Sequence, residues 1–134
     1  MRVIRYMSLK EYTSLVKGET LHNLTIHKRH ESTSIGFCFM RKGHYLEQYL
    51  AQISGQVKNL IKVEFEVNSE KHLVKSKGKY LTEKDGFRWM TEYCTSSYST
   101  RSFKIIRAQF IKPIDFDKGV YEFSDVYFMR TLNY

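Results

Sequence analysis

The sequence predicts an α+β protein, with two early helices packed on mostly antiparallel strands in one domain over residues 1–134. Three observations carry that expectation. A strand, a helix cap, a helix and a glycine follow one another from residue 2 to residue 18. Apolar residues then recur at helical spacing around residue 50. From residue 60 onward apolar and polar residues alternate with the period of a strand.

Residues 2–7, Arg-Val-Ile-Arg-Tyr-Met, are rich in β formers, with Val3, Ile4 and Tyr6 or Met7 as core candidates. Ser8 with Glu11 three residues on is a capping box, so a short helix runs from Leu9 to Val16 and stops at Lys17-Gly18. Residues 19–31 are polar and hold three histidines; they read as a loop with a short strand at 20–26. Residues 32–40 read as one buried strand entered through Ser32, Thr33 and Ser34, with Gly36 admitting another backbone or a ligand. A turn at 41–44 leads into a second helix, Tyr45 to Lys58, apolar at 45, 46, 49, 50, 53 and 57. In Leu60 to Val67, Ile61, Val63, Phe65 and Val67 point inward while Lys62, Glu64 and Glu66 face water. A loop and short strand, 73–81, pass through Thr82–Gly86 to Phe87-Arg-Trp-Met90. Strands at 91–95 and 102–111 are joined by a Ser/Thr-rich turn, Pro113 ends the second, and residues 115–134 add one or two more.

One proline, seven glycines and 15% aromatic residues argue for an ordered globule. The formal charge of +8 attracts phosphate-bearing partners: nucleic acid, nucleotides or an acidic protein surface. The cations are scattered, Lys71, Lys75, Lys77 and Lys79 among them, so a solubilising surface explains them as well. Cys38 and Cys94 lie far apart and no secretion signal precedes them, so they read as reduced, buried thiols of a cytoplasmic protein. No apolar run approaches about 18 residues, which excludes a membrane helix. His22, His27, His30 and His44 match no familiar ligand spacing and read as surface residues. Cys38 sits in an apolar strand, where a thiol stays protonated and is a poor nucleophile. Without a glycine-rich phosphate loop, P-loop and dinucleotide-fold chemistries are excluded.

Three features remain. Arg5 on a core strand is expensive unless its guanidinium meets a carboxylate or a phosphate, or turns out to solvent. Ser32, Thr33 and Ser34 either satisfy one another or present oxygens to a ligand. Glu92, beside Met90 and Tyr93, either lies on an edge or stands next to a reacting centre with its pKa raised. The order Arg, Ser-Thr-Ser-x-x-aromatic, helix, alternating strand and Glu-Tyr strand resembles mono-ADP-ribosyltransferases of the Arg / Ser-Thr-Ser / Glu type. The resemblance implies that family's split sheet, NAD as substrate and a macromolecular acceptor. It implies that Arg5 holds an NAD phosphate and that Ser32 bonds the nicotinamide ribose, with Thr33 and Ser34 shaping the strand. Phe37 or Phe39 would pack near the nicotinamide. Glu92 would stabilise the oxocarbenium-like transition state, as a carboxylate does when a glycosidic bond breaks. Met90 stands where arginine-modifying members carry Glu or Gln, which implies another acceptor, NAD hydrolysis or a lost activity. The competing expectation is a basic binding or inhibitor protein without chemistry, contacting nucleic acid or a nucleic-acid enzyme. There Tyr and Phe stack bases while Lys and Arg neutralise phosphates. Compact size and the absence of targeting signals would also suit a phage-encoded counter-defence protein of the anti-CRISPR kind.

Overall fold

The structure is a computed structural model and describes residues 1–29, 32–41, 61–82, 86–115 and 120–126. Strand β1 (Arg2–Met7) leads through the cap Ser8 into helix α1 (Leu9–Val16), both as expected. Ser8 Oγ accepts a hydrogen bond from the Glu11 amide at 3.2 Å, the forward half of the capping box. Two short strands follow, β2 (Leu21–His22) and β3 (Ile26–Arg29), where one had been expected at 20–26.

The expected strand 32–40 is two strands in two different sheets: β4 (Ser32–Ile35) pairs with β3, and β5 (Phe37–Arg41) joins the main sheet. Gly36 causes the break, because its φ of 80° turns the chain out of the extended region. What approaches it is backbone: a Cβ there would collide with the Thr95 carbonyl oxygen and meet the Asn23 carbonyl oxygen at 2.8 Å. Among the described residues there is one α-helix; the second expected helix, 45–58, lies outside them.

Strand β6 (Ile61–Val67) follows, then a 3₁₀ turn (Glu70–His72) and the hairpin of β7 (Val74–Thr82) and β8 (Gly86–Thr95). The short β9 (Ser97–Tyr98) leads to the hairpin of β10 (Phe103–Asp115) and β11 (Val120–Asp125). Pro113 does not end its strand. Beyond the last β6 partner, Phe110↔Ile61, β10 pairs with β11 alone among the described strands, and a bulge follows at Pro113/Asp115. The main sheet runs β11-β10-β6-β1-β5-β8-β7, and every described pairing is antiparallel.

Register sorts the side chains onto two faces. Val3, Met7, Phe39, Val63, Phe65 and Phe103 share one face, where Tyr12 and Leu15 of α1 and Tyr98 of β9 complete the core. Ile4, Tyr6, Cys38, Met40 and Cys94 are also buried and occupy the alternate positions, so the central strands are apolar on both faces. Glu64, expected in water, is only 7% exposed. Its strand lies between β1 and β10, which set Arg2 and Arg107 beside it; Arg2 Nη1 donates to Glu64 at 3.1 Å and Nε to Glu66 at 2.8 Å. These two carboxylates hold the Arg2 pKa above its usual value.

Candidate functional site

Arg5 occupies a position in the middle of β1, between β5 and β6, on the core face. A guanidinium there needs a fixed counter-charge. Glu11, on the first turn of α1 six residues later, supplies it. Arg5 Nε and Nη2 donate to the two Glu11 carboxylate oxygens at 2.6 and 2.8 Å, a bidentate fork, and Nη1 donates to the Cys38 carbonyl at 3.2 Å. The Glu11 carboxylate therefore serves Arg5 instead of turning back to the Ser8 amide. The Tyr98 hydroxyl donates to the same carboxylate at 2.7 Å. Burial, then the Glu11 charge, pushes the Tyr98 pKa far above the usual tyrosine value, with Arg5 opposing. That hydroxyl stays a donor throughout the physiological range.

The guanidinium also lies over two rings, 4.9 Å from the Phe37 centroid and 5.8 Å from that of Phe39. Phe37 and Phe39 are themselves core residues: Phe37 meets Tyr98 edge-on at 4.8 Å, and Phe39 packs on Phe65 at 5.8 Å and Phe103 at 5.0 Å. The result is a satisfied polar cluster sealed by aromatic rings.

Of the residues singled out in the sequence, the structure brings together Arg5, Phe37 and Phe39. Ser32, Thr33 and Ser34 lie in β4, whose pairing partner is β3: Arg29↔Ser32, Lys28↔Thr33 and His27↔Ser34. Glu92 lies in β8 opposite Ser76, two positions from Cys94; alternation assigns position 92 to the face of Cys94, whereas Arg5 lies on the face of Phe39. Sequence reasoning missed Glu11 and Tyr98 as partners of Arg5. The available signals were a carboxylate one helical turn past an inward arginine and an aromatic residue inside a Ser/Thr-rich run. Cys38 and Cys94 are buried and unbridged, as expected, but their being direct cross-strand partners was not foreseen.

A second constellation lies at the sheet margin. β7 is the outermost strand, and its pairing with β8 sets Lys75 opposite Tyr93, Lys77 opposite Thr91 and Lys79 opposite Trp89. The β3–β4 ribbon, carrying Lys28 and Arg29, lies against β7. His22 is exposed on β2, and His30 and His44 lie outside the described residues. No described helix is long and apolar enough to cross a membrane. Comparison with protein-family models, curated proteins and solved structures gives no match.

Proposed function

We propose that this chain is a non-catalytic, basic protein that binds single-stranded nucleic acid on its β7–β8 hairpin. The observation that carries the reading is the β7–β8 register. Three lysines at alternate positions of the outermost strand stand opposite Tyr93, Thr91 and Trp89, so cations and aromatic positions share one face. Tyr93 packs partly against the core on the face of Phe39, so backbone phosphates take the cations and the stacking position is 89, a stacked base contributing about 1–3 kcal/mol. The formal charge of +8 supplies the long-range attraction.

Transfer from NAD asks Arg5 to hold a phosphate. Its guanidinium is already engaged by Glu11, the Cys38 carbonyl and two rings, and an incoming phosphate would have to displace a bidentate carboxylate. That engagement supports binding over transfer.

The test is anisotropy of a labelled oligothymidylate and an oligouridylate across a salt series. The logarithm of the affinity falls linearly in log salt, with a slope of about −0.7 per phosphate contacted. Replacing Lys75, Lys77 and Lys79 together with alanine makes the slope shallower by about 2. Absence of binding, or an unchanged slope in the triple variant, overturns the reading. Labelled NAD run in parallel tests the rival: label transfer, nicotinamide release or a thermal shift with NAD would revive it.

A further inference from the structure

We propose that Cys38 and Cys94 form a redox-modification site, a reversible disulfide made by peroxide that clamps β5 to β8. The two residues are direct partners in an antiparallel pair, and their sulfur atoms are 3.6 Å apart. Opposed residues in such a pair have Cα atoms about 4.5 or 5.5 Å apart, according to their hydrogen-bonding class. Both spacings fall within the roughly 4.4–6.8 Å that a disulfide spans, so rotation about the side chains closes the bond while the backbone stays in place. The thiols are 4% and 5% exposed, which keeps large disulfides and protein thiols away. Val74, however, is the partner of Cys94 on its other side, on the outermost strand, and is 71% exposed. Among the described strands only β7 lies between Cys94 and that edge, which is the side from which a small oxidant would approach.

The chemistry balances with hydrogen peroxide as oxidant. Cys94 gives up its proton and its sulfur attacks a peroxide oxygen. The O–O bond breaks, leaving a sulfenic acid and, after protonation, one water. Cys38, a poor nucleophile while protonated, then attacks that sulfur because the pairing holds the two sulfurs 3.6 Å apart; its proton leaves with the displaced hydroxide as a second water, and the S–S bond forms. Two thiols lose two electrons and peroxide gains them.

The site lies on a seam. β5 is the hydrogen-bonded link between the β7–β8 hairpin and the β1, β6, β10 and β11 part of the sheet. A covalent bond there fixes the outer hairpin to the rest of the sheet.

The test treats the native protein with hydrogen peroxide, quenches it, and denatures it in an alkylating reagent before intact-mass measurement. Expected are a loss of about 2 Da, no alkyl adducts, and recovery of both adducts after dithiothreitol. The melting temperature of the oxidised form rises by roughly 10 °C. Two adducts after native oxidation, sulfinic acid, a disulfide-linked dimer, or a disulfide that appears only in urea would each overturn the site. An internal disulfide that leaves the melting temperature unchanged would overturn the clamp. Cys94→Ser should show neither the mass loss nor the thermal shift, and the wild-type mass result stands without that variant.

Discussion

Removing the Glu11 carboxylate tests whether the Arg5 cluster holds the fold together. Arg5 and Glu11 side chains are 14% and 16% exposed, so the pair is largely, though not fully, withdrawn from water. Deleting one partner of a fully buried pair costs about 3–5 kcal/mol, because the other charge is left behind. The residual exposure places this pair near the lower end, about 3 kcal/mol. The Tyr98 hydroxyl loses its acceptor as well, adding about 1 kcal/mol. Glu11→Ala should therefore cost about 4 kcal/mol out of the 5–15 kcal/mol typical of a domain. In urea, with a slope near 2 kcal/mol per molar, the midpoint should fall by about 2 M. Circular dichroism and tyrosine fluorescence should report the same transition. Arg5→Met in the same background removes the stranded charge, so the double variant should recover about 2 kcal/mol relative to the sum of the singles. A single-variant loss below about 1 kcal/mol, or strict additivity in the cycle, would refute the account of Arg5 as an internally neutralised core cation.

Three other outcomes follow from the same structure. Gly36→Ala should destabilise by about 2–4 kcal/mol, since it adds both positive-φ strain and a backbone collision. Gly18→Ala, at φ 84° with open space around it, should cost only about 1 kcal/mol; equal midpoints for the two variants in thermal melts would refute the close approach at Gly36. Tyr98 holds its proton more tightly folded than unfolded, so its contribution is complete below the unfolded pKa of 10.0 and is lost as pH rises above it. Stability should then fall by about 1.4 kcal/mol per pH unit for this group, and Tyr98→Phe should make that alkaline slope shallower in denaturant titrations. Arg107→Ala should lower stability in urea titrations by about 1–2 kcal/mol, because its ion pair with Asp125 is more than half exposed on the arginine side and contributes little, while the buried Glu64 loses one of its two neighbouring cations; an unchanged midpoint would contradict that.

The two arginines of β1 show how identical side chains take different roles. Arg2, at the strand start, lies half exposed on the face that carries Glu64 and Glu66. Arg5, three residues later, falls on the opposite face and is drawn into the core. Three residues is an odd step, so strand parity alone separates a surface ion pair from a buried one.

Local chemistry was legible in the chain wherever neighbours in sequence decide the structure. Ser8, Glu11 and Gly18 mark α1 to the residue, because caps and helix ends depend on groups a few positions apart. Alternation marks Ile61–Val67 for the same reason. That Arg5 must meet a carboxylate or a phosphate unless it turned out to solvent was also legible, since it follows from the cost of burying charge. Which of the two it meets was decided only in three dimensions, when α1 folded back over β1 and β9 brought Tyr98 to the same carboxylate. The division of 32–40 at Gly36, the burial of Glu64, the meeting of Cys38 with Cys94 and the alignment of Lys75, Lys77 and Lys79 with Tyr93, Thr91 and Trp89 are likewise products of strand pairing. Pairing joins residues tens of positions apart through backbone hydrogen bonds that carry no side-chain signature, so a single sequence shows which residues want burial but not which partners they find.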